Sequence, residues 1–202
     1  KHNGYGNDNN TISNCNIGPA GSNLPVNAVF SLNHISYSPD AYNSGNIITN
    51  CNIYDYFNIN SESAGIYISY GNTDWTITNN KLYQTSSRTQ NSGHIHSGIQ
   101  IANTGPNNSL ISGNTIGFSS RTGTGSYNIV VNNGWFYPIY LTSNSFSTIN
   151  IIGNTIKNIN VSNSGGGTGY LSSFKGIYAA PGDNNKTNIS GNIIGSSESP
   201  GS

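Results

Sequence analysis

The sequence predicts an all-β solenoid of about six coils, with parallel strands stacked along one axis, and three observations predict it. A six-residue pattern occurs six times: ISNCNI from Ile12, ITNCNI from Ile48, ITNNKL from Ile77, ISGNTI from Ile111, IIGNTI from Ile151 and ISGNII from Ile189. Its first Ile recurs at spacings of 36, 29, 34, 40 and 38, a period that belongs to repeat architectures. A second pattern recurs between these copies: GIYI from Gly65, GIQI from Gly98, PIYL from Pro138 and GIYA from Gly176, with VFSL from Val29 as a looser version. Finally, Gly and Asn recur every few residues and the apolar spacing does not follow 3.6, so helix is a poor reading.

The two patterns define the elements of each coil. Short β-branched runs bounded by Gly, Asn and Ser read as strands. The Ile of the second pattern precedes the next six-residue pattern by 11 or 12 residues, whereas the remaining leg varies from 18 to 28. A fixed leg means strands and turns that stack on the same elements of the neighbouring coil. An elastic leg means a loop that bulges outward. One coil cannot bury its Ile face alone, so the coils must stack.

Within each six-residue copy the two apolar residues, such as Ile111 and Ile116, point inward and the chain turns between them. Asn114 falls at that turn, where a left-handed backbone is tolerated and an amide can bond backbone groups. Asn80, Asn114, Asn154 and Asn192 hold equivalent places, and stacked amides can hydrogen-bond along the axis as a ladder. Cys15 and Cys51 take the same place in the first two coils. They read either as two stacked small apolar residues or as a disulfide, because parallel neighbours about 4.8 Å apart lie within its range.

Composition bounds the rest. Seven basic and seven acidic residues give net charge zero, so no basic face is expected for nucleic acid. No run of about 18 apolar residues occurs, so no membrane insertion is expected. Periodic Ile and 13 Tyr argue against disorder. With no Met and an Asn/Ser/Thr/Tyr-rich surface, residues 1–202 are expected to form a single domain, a segment of a longer secreted protein, extracellular or on the cell surface. Neighbouring segments of that parent chain, or partner chains, are expected to cap its open ends.

The succession Gly-Ile-Tyr-Ile, a short turn and then Thr-Ile-Ser-Asn-Asn-Thr-Ile resembles the repeat of right-handed parallel β-helix proteins, the pectin-lyase-like superfamily. The resemblance runs from about Asn10 to Gly195. It implies a right-handed parallel β-helix with variable loops. It does not choose a function, since that superfamily holds polysaccharide lyases, glycoside hydrolases, epimerases, phage tailspikes and non-catalytic surface adhesins.

What the family's enzymes carry is mostly missing. Lyases of this type bring a calcium site of several acids, but Asp8, Asp40, Asp55, Glu62, Asp74, Asp183 and Glu198 are scattered. Polygalacturonase-like enzymes carry Asn-Thr-Asp, an Asp pair, Gly-His-Gly and Arg-Ile-Lys. NTD at Asn72–Asp74 matches the first and GHIHSGI at Gly93–Ile99 loosely the third, while the other two are absent. The resemblance thus leaves Asp74, His94, His96 and Arg88 as the catalytic candidates, with Asp55 or Glu62 as possible partners of Asp74. His94 and His96 alternate about Ile95 and could share a face, where Asp74 or Glu62 would complete a metal site. The plainer reading is a solvated loop, and no cofactor is expected.

The stronger candidate is aromatic. With both Ile of Gly-Ile-Tyr-Ile inward, Tyr67, Gln100, Tyr140 and Tyr178 face outward as one stripe. Tyr54 and Tyr83 form a second outward pair, and Trp75 and Trp135 fall at turns. Such rings among Asn, Ser and Thr suit sugars or a protein partner, unless long loops such as 117–135 cover them. An ice-binding array is not expected, because the outward series Ser13, Thr49, Thr78, Ser112, Ile152, Ser190 is broken by Ile152. The sequence therefore points to a structural and adhesive surface segment that binds polysaccharide or another cell-surface protein. A β-helix lyase or glycoside hydrolase and a purely structural fibre spacer are the alternatives.

Overall fold

The computed structural model describes residues 6–33, 41–91, 93–103, 108–132, 134–143, 147–162, 174–183 and 185–195; Asp40 and Glu198 lie outside them. The chain is a parallel β-helix. Two six-stranded sheets carry the six-residue repeats. The first stacks Thr11–Ser13, Ile47–Thr49, Thr76–Thr78, Leu110–Ser112, Thr148–Ile152 and Lys186–Ser190. The second stacks Asn16–Ile17, Asn52–Tyr54, Lys81–Tyr83, Thr115–Gly117, Thr155–Lys157 and Ile193–Ile194. A third sheet of five strands holds Asn27–Ser31, Ser63–Ile68, Ile95–Asn103, Trp135–Ser143 and Ile177–Pro181. Six rungs are thus present on two faces, and four successive steps are stacked on all three.

Register follows the sequence repeat residue for residue. Ile12, Ile48, Ile77, Ile111, Ile151 and Ile189 form one parallel column. Ile17, Ile53, Leu82, Ile116, Ile156 and Ile194 form the second, and Val29, Ile66, Ile99, Ile139 and Ile177 the third. These columns meet in one apolar core. Burial depends on stacking. Ile151 and Ile156 are 0% and 1% exposed, but their counterparts in the last rung, Ile189 and Ile194, are each 51% exposed.

The elastic leg is not all loop. Arg88–Gln90, Tyr127–Val131 and Ile159–Ser162 pair in parallel as a three-stranded sheet. Tyr127, Ile129, Val131 and Phe136 form a second small core beneath it. This corrects the expectation of an outward bulge: the alternating YNIVV segment buries every second residue.

The Asn ladder is present. Asn154 donates its backbone N–H and its Nδ2 to Asn192 Oδ1 at 2.8 and 2.9 Å, and the same Nδ2 reaches Ile111 O at 2.9 Å. Each buried amide is therefore satisfied by the next rung, which removes the cost of burying it. The left-handed residue, however, is the one before the ladder. Asn14, Asn50 and Asn79 have φ of 56°, 55° and 56°, and Gly113, Gly153 and Gly191 have 64°, 64° and 63°. Asn114 is outside that region. The preceding residue makes the reversal, which leaves the ladder Asn free to aim its amide inward. Only Asn and Gly occupy the reversing place, the residues that tolerate it best.

Cys15 and Cys51 are free thiols in the ladder column. Cys51 Sγ lies 3.7 Å from Ile12 O, the carbonyl that corresponds to those the Asn amides reach. Burial pushes the Cys51 thiol above its ordinary pKa.

Candidate functional site

Each sequence-predicted residue has a definite place. Asp74 is a turn residue with φ 56°. Asn9 and Gly45 take the same left-handed turn in the preceding rungs, with φ 56° and 63°. NTD at 72–74 repeats the NSG of 43–45, with Asn43 and Asn72 paired in register. Asn43 Nδ2 donates to Asn72 Oδ1 at 3.3 Å, a short second ladder. A third column joins Asn10 to Asn46 (backbone N to Oδ1, 2.9 Å) and Trp75 to Ser109 (backbone N to Oγ, 3.1 Å). The Asn-Thr-Asp match is thus a rung corner. Trp75 beside it is packed into the core, not exposed.

Arg88 sits at another corner, two strands further along the same rung. Its Nη2 lies 2.6 Å from Asp55 Oδ1 and its Nε donates to Gln84 Oε1 at 2.7 Å. The side chains of Arg88 and Asp55 are 14% and 9% exposed. Asp55 also accepts the backbone N–H and the hydroxyl of Thr85 at 2.9 and 2.6 Å. The guanidinium is therefore already neutralised by Asp55, in an arrangement that fixes it.

His96 lies inside the second core and is wholly buried. Its Nδ1 is 2.8 Å from Ser63 Oγ and its Nε2 is 2.6 Å from Tyr127 OH. Tyr56 and Phe136 stack on the ring, each with centroids 5.4 Å away. Burial, then the charge of Arg88, lowers the imidazole pKa to about 3. A neutral ring with one donating and one accepting nitrogen suits its two hydroxyl partners. This corrects the expectation of a histidine pair on one outer face: only His94 remains outside the core, and it is half-buried. Arg88 and His96 flank one interior cluster, while Asp74 stands at a separate corner. Among the described residues no group of three or more His, Cys, Asp or Glu is placed to hold a metal ion.

The third sheet gathers the aromatic candidates. Phe30, Tyr67, Gln100, Tyr140 and Tyr178 stand in one parallel register. Tyr67, Tyr140 and Tyr178 are half-buried, and Phe30 is exposed. Gln100 departs from the outward expectation. It is buried between its neighbours, with Ser97 Oγ donating to its Oε1 at 2.9 Å. It stands in register between Tyr67 and Tyr140.

Two residues join this face that sequence reasoning missed. Tyr137 stacks on Tyr178 at 5.1 Å and 10° and contacts Tyr140 at 5.5 Å. Lys175 Nζ lies 4.5 Å from the centre of the Tyr178 ring, a cation–π contact. Both precede the Pro or Gly that opens the third-sheet pattern, and that position was the available signal. Burial raises the phenol pKa of Tyr67 and Tyr140, and pushes that of Tyr137 up to about 12. The hydroxyls thus remain donors at neutral pH.

Tyr54 and Tyr83 pair in register on the second sheet and stack at 5.3 Å and 8°, as their equivalent places predict, but Tyr83 is buried rather than open to solvent. No family model, no curated protein and no solved structure matches the chain, and its resemblance to parallel β-helix proteins rests on the repeat and the architecture.

Proposed function

We propose that the chain is a structural and adhesive segment of an extracellular or cell-surface protein, which binds carbohydrate through the outer face of the third sheet. The observation that carries this reading is the in-register aromatic column with Tyr137 and Lys175 packed beside it. Tyr178 stacks on the buried Tyr137, so it offers a ring edge and its phenol hydroxyl in place of an open ring face. Tyr67, Tyr140 and Tyr178 set a row of donors and acceptors on rungs about 4.8 Å apart, interrupted once at Gln100. That row suits successive sugar units of a polysaccharide, or the polar surface of another cell-surface protein. Rigid rings cost little entropy to immobilise on binding.

Binding is favoured over turnover by what the catalytic candidates do. Asp74 makes a turn, Arg88 is paired with Asp55, and His96 is enclosed by rings.

The test is a polysaccharide array scored for bound protein and for new reducing or unsaturated ends, with and without calcium. Binding without product, lost when Tyr67, Tyr140 and Tyr178 are all replaced by Ala, is the expected result. New chain ends would overturn it in favour of a β-helix lyase or hydrolase. Silence on every glycan would leave the fibre-spacer role.

A further inference from the structure

The outer face of the second sheet carries a groove of about 370 Å³, apart from both the tyrosine column and the interior cluster. Three of the chain's seven Lys and Arg residues line it, namely Lys81, Arg121 and Lys157, and no Asp or Glu does. In a chain of zero net charge this is a local concentration of positive potential.

The three cations reach the groove from three chain segments. Lys81 and Lys157 stand on second-sheet strands two rungs apart, and Arg121 comes from the loop that follows Thr115–Gly117. The loop is preformed. Ser119 N donates to Thr124 O at 3.0 Å, Thr124 N donates to Ser120 Oγ at 3.1 Å, and Lys81 Nζ donates to Arg121 O at 2.9 Å. Between the cations lie Thr115 and Thr155, paired in register one rung apart.

Phe118, at the base of the loop, is the odd feature. It has φ 64°, while Asp55 and Asn158, at the matching corner, have 53° each. Asp and Asn tolerate that region; a bulky aromatic there is an outlier. Such strain persists where the surroundings impose it, and it gathers at ligand sites. Here it places the Phe118 ring in the groove wall, with Lys157 Nζ 5.7 Å from its centre.

We propose that this groove binds a phosphate monoester, with Lys81, Arg121 and Lys157 holding the phosphate and the Thr115 and Thr155 hydroxyls beside it. A phosphate monoester brings about −1.5 to −2 charges and three acceptor oxygens at neutral pH. Three cations from three directions match that group.

The test is titration of the ¹⁵N-labelled chain with glucose 6-phosphate, glucose 6-sulfate, inorganic phosphate and glucose, followed by amide chemical shifts. Glucose 6-phosphate should perturb Thr115, Gly117 and Gly123 saturably, and inorganic phosphate should compete with it. Affinity should fall about tenfold or more in an Arg121→Gln/Lys157→Gln variant, through loss of charge-assisted bonds, and stay unchanged in Lys186→Gln. It should weaken from pH 7 to pH 5, because the second phosphate pKa is about 6. Absence of shifts at the groove, equal affinity in the double variant, or equal binding of glucose or glucose 6-sulfate would each overturn the proposal. An unchanged thermal midpoint of the variant separates loss of the site from loss of the fold.

Discussion

Asn80 donates both its backbone N–H and its side-chain Nδ2 to a single oxygen, Asn114 Oδ1, each at 3.0 Å. Asn114 makes the same pair of bonds to Asn154 Oδ1, also at 3.0 Å. One amide thus accepts from the rung on one side and donates to the rung on the other. Replacing Asn114 by Leu would strip two buried donors of Asn80 and the carbonyl of Ile77 of their partners. Each orphaned group costs about 1–3 kcal/mol, so the loss should be about 3 kcal/mol or more. Urea unfolding checks it, and a loss under about 1 kcal/mol would mean that water replaces the ladder.

The ladder ends in sulfur at Cys51, whose backbone N–H donates to Asn80 Oδ1 at 2.9 Å. Cys51→Asn should extend it by one rung, with the new amide reaching Asn80 Oδ1 and Ile12 O. The two side chains are similar in size. A gain of about 1 kcal/mol is expected, read from the unfolding midpoint; a destabilised variant would show that the thiol fits the slot better.

Asp55 has φ 53°, which Asn also tolerates, so Asp55→Asn removes the charge and keeps the turn. It strands a mostly buried guanidinium. The expected cost is about 3 kcal/mol, and Arg88→Met in the same chain should recover part of it. A double-mutant cycle by chemical denaturation measures the coupling, and additive effects would contradict a direct pair.

The buried His96 makes stability depend on pH. Its pKa is about 3 in the folded chain and near the ordinary 6.5 when unfolded. Between these values the unfolded state binds the extra proton, so stability is full above about pH 6.5 and falls as the pH drops towards 3. The slope should approach about 1.4 kcal/mol per pH unit for this one group. His96→Phe should flatten that part of the curve, and an unchanged slope would assign the effect to other groups.

The register could be read from the sequence because every inward Ile repeats with its Asn or Gly reversal, as at Ile111, Gly113 and Asn114. The period alone fixes which residue stacks on which. Facing could be read wherever strands alternate, as for Tyr67 and Tyr140. The errors arose where a longer-range element intervened. His96 looked solvent-facing because the Tyr127–Val131 strand that encloses it lies in the elastic leg, some 30 residues away in sequence. Gln100 looked exposed because alternation gives a side chain's direction but not how far its surroundings cover it. The groove around Lys81, Arg121 and Lys157 could not be read, since a loop and two separate rungs build it.

Parallel rungs also fix how the chain bears load. The ladder and sheet bonds all run along the axis, so an axial pull passes through every junction in turn. The junctions act as links in series: added rungs would lengthen the molecule without strengthening it, and the weakest interface would set the rupture force. A sideways pull instead runs along the strands and is carried by the covalent backbone of the rungs. The β-helix is thus an anisotropic material, compliant at one junction under axial tension and stiff across its width.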